Sequence, residues 1–149
     1  MRRRVSWYTV ETVKGFADRR QEARPQKVLV VDDNPGLRHL WSVWLSLWNF
    51  LVVEAKDGVD AIDTALRERP SLVLMDLAMP RLDGFAATRE LKQHAQTAGI
   101  PVVALTAHTT TEDRRRASEA GCAGFLGKPC DPELLLTEVR RLLRPHRRG

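Results

Sequence analysis

Five residues of types that can do chemistry together stand out in this sequence: Asp32, Asp33, Asp76, Thr106 and Lys128. Each sits at the end of a short apolar run. Asp32 and Asp33 follow residues 28–31, Asp76 follows 72–75, Thr106 follows 101–105, and Lys128 follows 123–127. Three carboxylates held close together repel one another. Such a site is tolerable when a cation sits in it and a lysine stands beside it. Mg2+ is the natural ion, being hard, octahedral and content with one or two carboxylates plus waters and phosphate oxygens. No Cys/His cluster suggests zinc. A carboxylate so placed can act as a nucleophile and form an aspartyl-phosphate. Phosphoryl transfer asks mainly for in-line positioning and neutralised oxygens. The Lys128 ammonium and Mg2+ supply positive charge, and the Thr106 hydroxyl can donate a hydrogen bond to a phosphoryl oxygen.

The elements that must position these groups alternate regularly from Lys27 onward. Residues 28–31 are β-branched and apolar, as in a strand buried on both faces. Asp32-Asp33-Asn34-Pro35 ends that run with turn and capping residues. Leu37, Leu40, Trp41, Trp44, Leu45 and Trp48 then fall at helical spacing as one apolar stripe, and Asn49 can stop the helix in a left-handed conformation. Residues 50–55 read as a second strand. A second helix after Asp57-Gly58 turns Ala61, Ile62, Ala65 and Leu66 inward and closes near Pro70. Residues 72–75 form a third strand, and a third helix runs from Asp83-Gly84 to near Gly99. Residues 101–105 form a fourth strand. Thr110 and Asp113 read as a capping pair for a fourth helix that ends at Gly121. Its stripe is thin, essentially Ala117 and Ala120, so it is expected to be loosely held. Residues 123–127 are a fifth strand. Asp131 caps a last helix, with Pro132 at its first position and Leu135, Val139, Leu142 and Leu143 inward.

Five strands alternating with five helices imply βαβ units and an open parallel sheet covered on both faces. Ligands bind such sheets at the carboxyl ends of the strands, where strand order reverses. All five singled-out residues lie at such ends.

The 149 residues suit one core. The net charge of +5 divides unevenly. Residues 1–27 carry eight Lys/Arg against three Asp/Glu, and 138–149 carry five against one. Residues 28–137 carry eleven against fifteen, a net charge of −4. The compact part is therefore acidic and the ends basic, which reads as solvated tails more than as a nucleic-acid face. The expected organisation is a basic extension over 1–26, read as a short helix or a disordered segment, a domain over 27–143 and a basic tail over 144–149. No apolar run approaches the ~20 residues of a membrane helix. The arginine-rich start lacks the apolar stretch of a signal peptide. Cys122 and Cys130 read as reduced, inert thiols, so the expected location is cytoplasmic.

Four segments resemble one family. Val-Leu-Val-Val-Asp-Asp-Asn-Pro, Leu-Met-Asp-Leu-Ala-Met-Pro-Arg-Leu-Asp-Gly, Ala-Leu-Thr-Ala and Phe-Leu-Gly-Lys-Pro are similar to the receiver domains of two-component response regulators, over about residues 27–143. The gaps of 30 residues from Asp76 to Thr106 and 52 from Asp76 to Lys128 are also similar to that family's. The resemblance implies a flavodoxin-like (βα)5 sandwich with strand order 2-1-3-4-5. It implies that Asp76 is the phosphoacceptor. It makes Asp33 a direct Mg2+ ligand, Asp32 a ligand mainly through water, and the Ala78 carbonyl a third protein ligand. Thr106 and Lys128 would contact the phosphoryl group, Phe125 would be the switch aromatic, and the Lys128–Pro129 bond would be cis. The implied donor is a histidine kinase or histidine phosphotransfer protein. The implied output is a downstream protein bound on the surface of the fourth helix, fifth strand and fifth helix, with phosphorylation-dependent dimerisation as an option. Ala78 brings no polar side chain to orient a hydrolytic water, and Phe125 lacks a hydroxyl, so it can report the switch only by packing.

Taken singly these features are ordinary. Asp-Asp-Asn-Pro is usually a turn, a strand-end aspartate a helix cap, and a Lys-Pro pair nothing. Their joint order at strand ends is what carries the reading. The Trp41/Trp44/Trp48 stripe reads first as packing, although three tryptophans exceed what one core side needs. Arg114-Arg115-Arg116 reads as a solvated helix face, and His39, His94 and His146 have no evident partners.

The leading expectation is a single-domain regulator that is no enzyme beyond self-catalysed phosphoryl acceptance and autodephosphorylation, and that acts through protein contacts. A receiver of a hybrid histidine kinase and a phosphate-independent interaction module are the alternatives. Direct DNA regulation rests only on the arginine-rich ends. A haloacid-dehalogenase-type phosphatase would need Asp-x-Asp after the first strand, which this chain lacks. A nucleotide-binding module is disfavoured because no Gly-rich loop follows that strand.

Overall fold

The computed structural model describes residues 24–144. The expected extension falls mostly on residues 1–23 and the expected tail on 145–149, both outside the described residues. Ten elements alternate along the chain. They are β1 (Lys27–Val31), α1 (Pro35–Leu47), β2 (Leu51–Ala55), α2 (Gly58–Glu68), β3 (Leu72–Met75), α3 (Gly84–Gln93), β4 (Val102–Thr106), α4 (Thr111–Ala120), β5 (Gly124–Gly127) and α5 (Pro132–Leu143). The strands form one parallel sheet in the order β2-β1-β3-β4-β5. Strand order therefore reverses between β1 and β3. The chain is an α/β flavodoxin-like sandwich, as expected.

The two sides of the sheet follow from the period of two along each strand. Leu29, Val31, Val73, Met75, Val102 and Ala104 meet the buried faces of α2, α3 and α4. Their neighbours Val28, Val30, Leu72, Leu74, Val103 and Leu105 meet Trp41 and Leu45 of α1 and Leu135 and Val139 of α5. Because both faces are covered, β1, β3 and β4 read as continuous apolar runs. The edge strand β2 is different, with Leu51 half exposed and only Ala55 buried.

Helix starts follow side-chain capping. Asn34, Asp57, Asp83, Thr110 and Asp131 each accept a backbone N–H of the first turn. Thr110 and Asp113 form the reciprocal capping box that their spacing predicts. In α4 only Ala117 and Ala120 are buried.

Three local expectations need correction. The α1 stripe is narrower than its spacing suggests: Leu40 is 44% exposed and the buried residues are Trp41, Ser42 and Leu45. Ser42 is tolerated inside because its hydroxyl donates to the Arg38 carbonyl at 2.8 Å. The second strand begins at Leu51, because the Phe50 N–H turns back to the Leu45 carbonyl at 3.1 Å. Helix α3 ends at Gln93, well before Gly99. The buried Thr97 hydroxyl donates to the Leu91 carbonyl at 2.6 Å, and Lys92 Nζ donates to the carbonyls of Ala98 and Ile100. These side chains satisfy the backbone and let the helix stop early.

Candidate functional site

The carboxyl ends of β1 and β3 lie side by side at the reversal of strand order, which places Asp32, Asp33 and Asp76 together. A carboxylate oxygen from each lies within 4.8 Å of the other two. Asp32 and Asp76 are buried and Asp33 is exposed. One wall is therefore fixed in the protein and the other faces solvent.

Backbone geometry holds the two buried carboxylates. Asp32 accepts the Asn34 N–H at 2.9 Å, and Asp76 accepts the Ala78 N–H at 3.1 Å. Both are tight turns immediately after a strand. Lys128 arrives from the end of β5, across β4. Its backbone N–H donates to the Thr106 carbonyl at 2.8 Å. Its Nζ lies 2.6 Å from Asp32 and 3.6 Å from Asp76. The Lys128–Pro129 peptide is cis. Thr106 is fully buried, and its Oγ1 accepts the His108 N–H at 3.1 Å. Phe125 pairs with Ala104 in the sheet register, two residues below the Thr106–Gly127 pair. Its half-buried ring carries the Arg114 guanidinium at 4.6 Å.

Four of the singled-out residues (Asp32, Asp33, Asp76 and Lys128) thus form one cluster. Thr106 adjoins it through the backbone, and Phe125 lies further along β5. Ala78 stands exposed at the rim, its N–H engaged with Asp76. Two supports of the pocket carry no signal in the sequence. The first is Gly84, at the start of α3. A Cβ there would lie 2.2 Å from the Asp76 carbonyl oxygen and 2.7 Å from Leu77 Cα, so the helix start rests directly on the acidic loop. The second is Arg81, which reaches the buried Asp57 at 2.7 Å from a left-handed backbone with φ of 67°. It ties the loop after β3 to the start of α2.

Burial pushes the Asp76 carboxyl above its ordinary value. Lys128 and the Ala78 N–H pull it down, and Asp32 and Asp33 push it up. A carboxyl raised in the folded state costs stability once pH exceeds the ordinary carboxylate range. There the unfolded chain ionises first, and the full penalty stands above the folded value. Asp76→Asn is therefore expected to raise Tm in EDTA at pH 7, about 4 °C for each ~1 kcal/mol relieved. The gain should fade as pH drops through the carboxylate range. Thermal melts across pH check this; a gain that stays constant down to pH 3 would show that charge is not its cause.

The donor set fits a hard divalent cation: three carboxylates, no soft ligand, and a solvent-facing side through Asp33 for waters and phosphate oxygens.

The site is an acidic pocket with a lysine at the switch point of an open parallel sheet, the place where doubly wound α/β domains carry their ligand sites. Residues 28–140 match the family described as the response regulator receiver domain, and the chain belongs to that family. Its fold is that of the chemotaxis-type receivers of two-component systems. It is similar to a chemotaxis protein of Vibrio cholerae, with a TM-score of 0.77 and 32% identity over 80% of this chain and 99% of that one. It is also similar to the receiver domain of a sensor histidine kinase from Pseudomonas aeruginosa, described with a magnesium ion in its active-site cleft. That likeness has a TM-score of 0.75 and 33% identity, covering 80% and 98% of the two chains. The protein PilH of Pseudomonas aeruginosa is 36% identical over 78% of this chain and 97% of its own length. The transcriptional regulator RpaA of Synechocystis is 36% identical over 79% of this chain, which spans only 49% of that regulator. The chain thus spans about half the length of some relatives and nearly the whole of others. None of the described helices is long and apolar enough to cross a membrane.

Proposed function

We propose that this receiver accepts a phosphoryl group on Asp76, from a histidine kinase or a histidine phosphotransfer protein, in a Mg2+-dependent reaction. The observation that carries this is the convergence of Asp32, Asp33, Asp76 and Lys128 from three strands onto one pocket. Asp33, Asp32, Asp76 and the Ala78 carbonyl would hold the ion. When bound, the ion neutralises charge on the phosphoryl oxygens. An Asp76 carboxylate oxygen attacks phosphorus, its new O–P bond forms, and the P–N bond to the donor imidazole breaks. The Lys128 ammonium offsets charge on the phosphoryl group. The turn at Ala78 orients the carboxylate through its N–H. The chemistry is confined to the protein's own aspartate, so the domain is a switch and not an enzyme acting on a separate substrate.

The switch follows from the neighbours of the pocket. A new dianion with three acceptor oxygens draws the Thr106 hydroxyl towards it. That movement competes with the hydrogen bond from His108 and opens room for Phe125. Phe125 lies under α4, whose buried contacts are two alanines, so the surface of α4, β5 and α5 is the one that changes for a downstream partner. The net negative charge of residues 28–137 supports a protein partner rather than nucleic acid, and membership of the receiver family supports a cytoplasmic setting. The likeness to a sensor kinase's receiver supports a second reading, as the receiver of a hybrid kinase.

The test is acetyl phosphate with Mg2+, read by intact mass. One added phosphoryl group is expected in the wild type, none in Asp76→Ala, and none when EDTA replaces Mg2+. Equal labelling of Asp76→Ala would remove Asp76 from the role.

A further inference from the structure

Arg38 stands behind the acidic pair. It lies near the start of α1, and its guanidinium reaches back to the end of β1. Nη1 donates to the Asp32 carbonyl at 2.8 Å. Nε donates to the Glu54 carboxylate of β2 at 2.9 Å. One planar fork thus joins three elements, and its side chain is only 20% exposed. Sheet register sets Glu54 beside Val30, on the face that α1 covers, so the fork and its anchor share one side of the sheet.

The Asp32 carbonyl belongs to the peptide that joins Asp32 to Asp33, and a peptide is a rigid plane. The other polar groups of Asp32 are held as well. Its N–H donates to the Ala55 carbonyl at 3.2 Å, and its carboxylate takes the Asn34 N–H and Lys128. Arg38 fixes the group that remains. Asp33 is exposed, yet its carboxylate belongs to the cluster with Asp32 and Asp76. The plane of the peptide before it sets the direction in which Asp33 leaves the strand. The charge of Arg38 works the other way. A guanidinium beside a cation site repels the ion, so charge alone would weaken binding. Geometry and charge therefore predict opposite signs when Arg38 is removed.

We infer, on the basis of the Mg2+ site proposed above, that Arg38 is a positioning residue for the ion. Through the Asp32 carbonyl it fixes the Asp32–Asp33 peptide, and Glu54 holds Arg38 in place. The test is calorimetric titration of Mg2+ into the full-length wild type, Arg38→Met and Arg38→Lys, at a temperature where melts show the proteins folded. A loss of stability alone leaves the affinity of the folded protein unchanged. Arg38→Met keeps an unbranched apolar stem and removes the charge. Its Kd for Mg2+ is expected to rise about tenfold or more, as usual for partners that orient metal ligands. Arg38→Lys keeps the charge but loses the planar fork, so a smaller rise is expected, and this variant decides the matter if Arg38→Met does not fold. Labelling of the variants by acetyl phosphate is expected to be slow at low Mg2+ and to approach the wild-type rate at saturation, because Arg38 touches no reacting atom. Wild-type or tighter Mg2+ affinity in either folded variant would overturn the assignment and leave the proposed site standing. So would a labelling deficit that saturating Mg2+ does not relieve. Failure of the wild type to bind Mg2+ would remove the site itself, and the role of Arg38 with it.

Discussion

Lys128→Met is expected to cut the rate of phosphoryl acceptance from acetyl phosphate by roughly 10²–10³, the usual cost of losing one preorganised charge at a reacting oxygen. It is also expected to destabilise the metal-free protein by about 3 kcal/mol at pH 7, because removing one member of a buried ion pair leaves the other uncompensated. The geometry makes the second effect large. Lys128 Nζ lies 2.6 Å from Asp32 and 3.6 Å from Asp76, and all three side chains are nearly enclosed. Lys128 also opposes the burial that raises the Asp76 carboxyl, so its removal drives that carboxyl higher still. The stability deficit should therefore shrink as pH falls and Asp76 takes up a proton. It should shrink again with Mg2+, which replaces the missing positive charge by binding the folded state. Urea titrations at pH 7 and pH 4.5, each with EDTA or Mg2+, read all of this. A deficit indifferent to both pH and metal would mean that Lys128 acts by packing alone.

That lysine also shows where sequence reading reaches and where it stops. The alternation of apolar runs and helical stripes was enough to place Asp32, Asp76, Thr106 and Lys128 at strand ends, because a parallel βαβ chain has one carboxyl edge. That edge and the reversal between β1 and β3 bring the acidic residues together whatever the loops do. The pairing within the pocket was not legible. Lys128 sits closer to Asp32 than to Asp76, a choice made by the path after β5 and by the backbone bond to Thr106. Arg81 and Asp57 are another case. They are 24 residues apart and meet only because the loop after β3 bends through a left-handed residue, for which Arg81 carries no signal. The α1 stripe misled for a related reason. Spacing reports which residues share a face, but the width of the buried part depends on the neighbour. Here the sheet and α5 enclose Trp41 and Leu45 and leave Leu40 to solvent. The end of α3 was missed because it depends on the Thr97 hydroxyl and the Lys92 ammonium, side chains that satisfy backbone groups several residues away.

Gly84→Ala separates the positioning of the pocket from its charge. The substitution adds one methyl group and changes no ionisable group. The new Cβ would stand 2.2 Å from the Asp76 carbonyl oxygen and 2.7 Å from Leu77 Cα, both backbone atoms that cannot rotate away. Either the start of α3 lifts off, or the turn from Asp76 to Ala78 shifts. Lifting α3 strains the bond from Gly84 N–H to the Leu77 carbonyl, now 3.1 Å, and the cap that Asp83 gives to Ala86. Overpacking of this kind typically costs about 1–3 kcal/mol. Shifting the turn misplaces the carboxylate held by the Ala78 N–H, and a displacement near 1 Å in a reacting group can cost ~10²-fold in rate. The expected result is a protein that still folds, with Tm lowered by roughly 5–10 °C, and accepts a phosphoryl group at least ~10²-fold more slowly. Unlike Lys128→Met, its stability deficit should persist at low pH and in Mg2+, since its origin is steric. Full-rate labelling by acetyl phosphate in Gly84→Ala would show that the contact between α3 and the Asp76 turn is not what holds the acceptor in place.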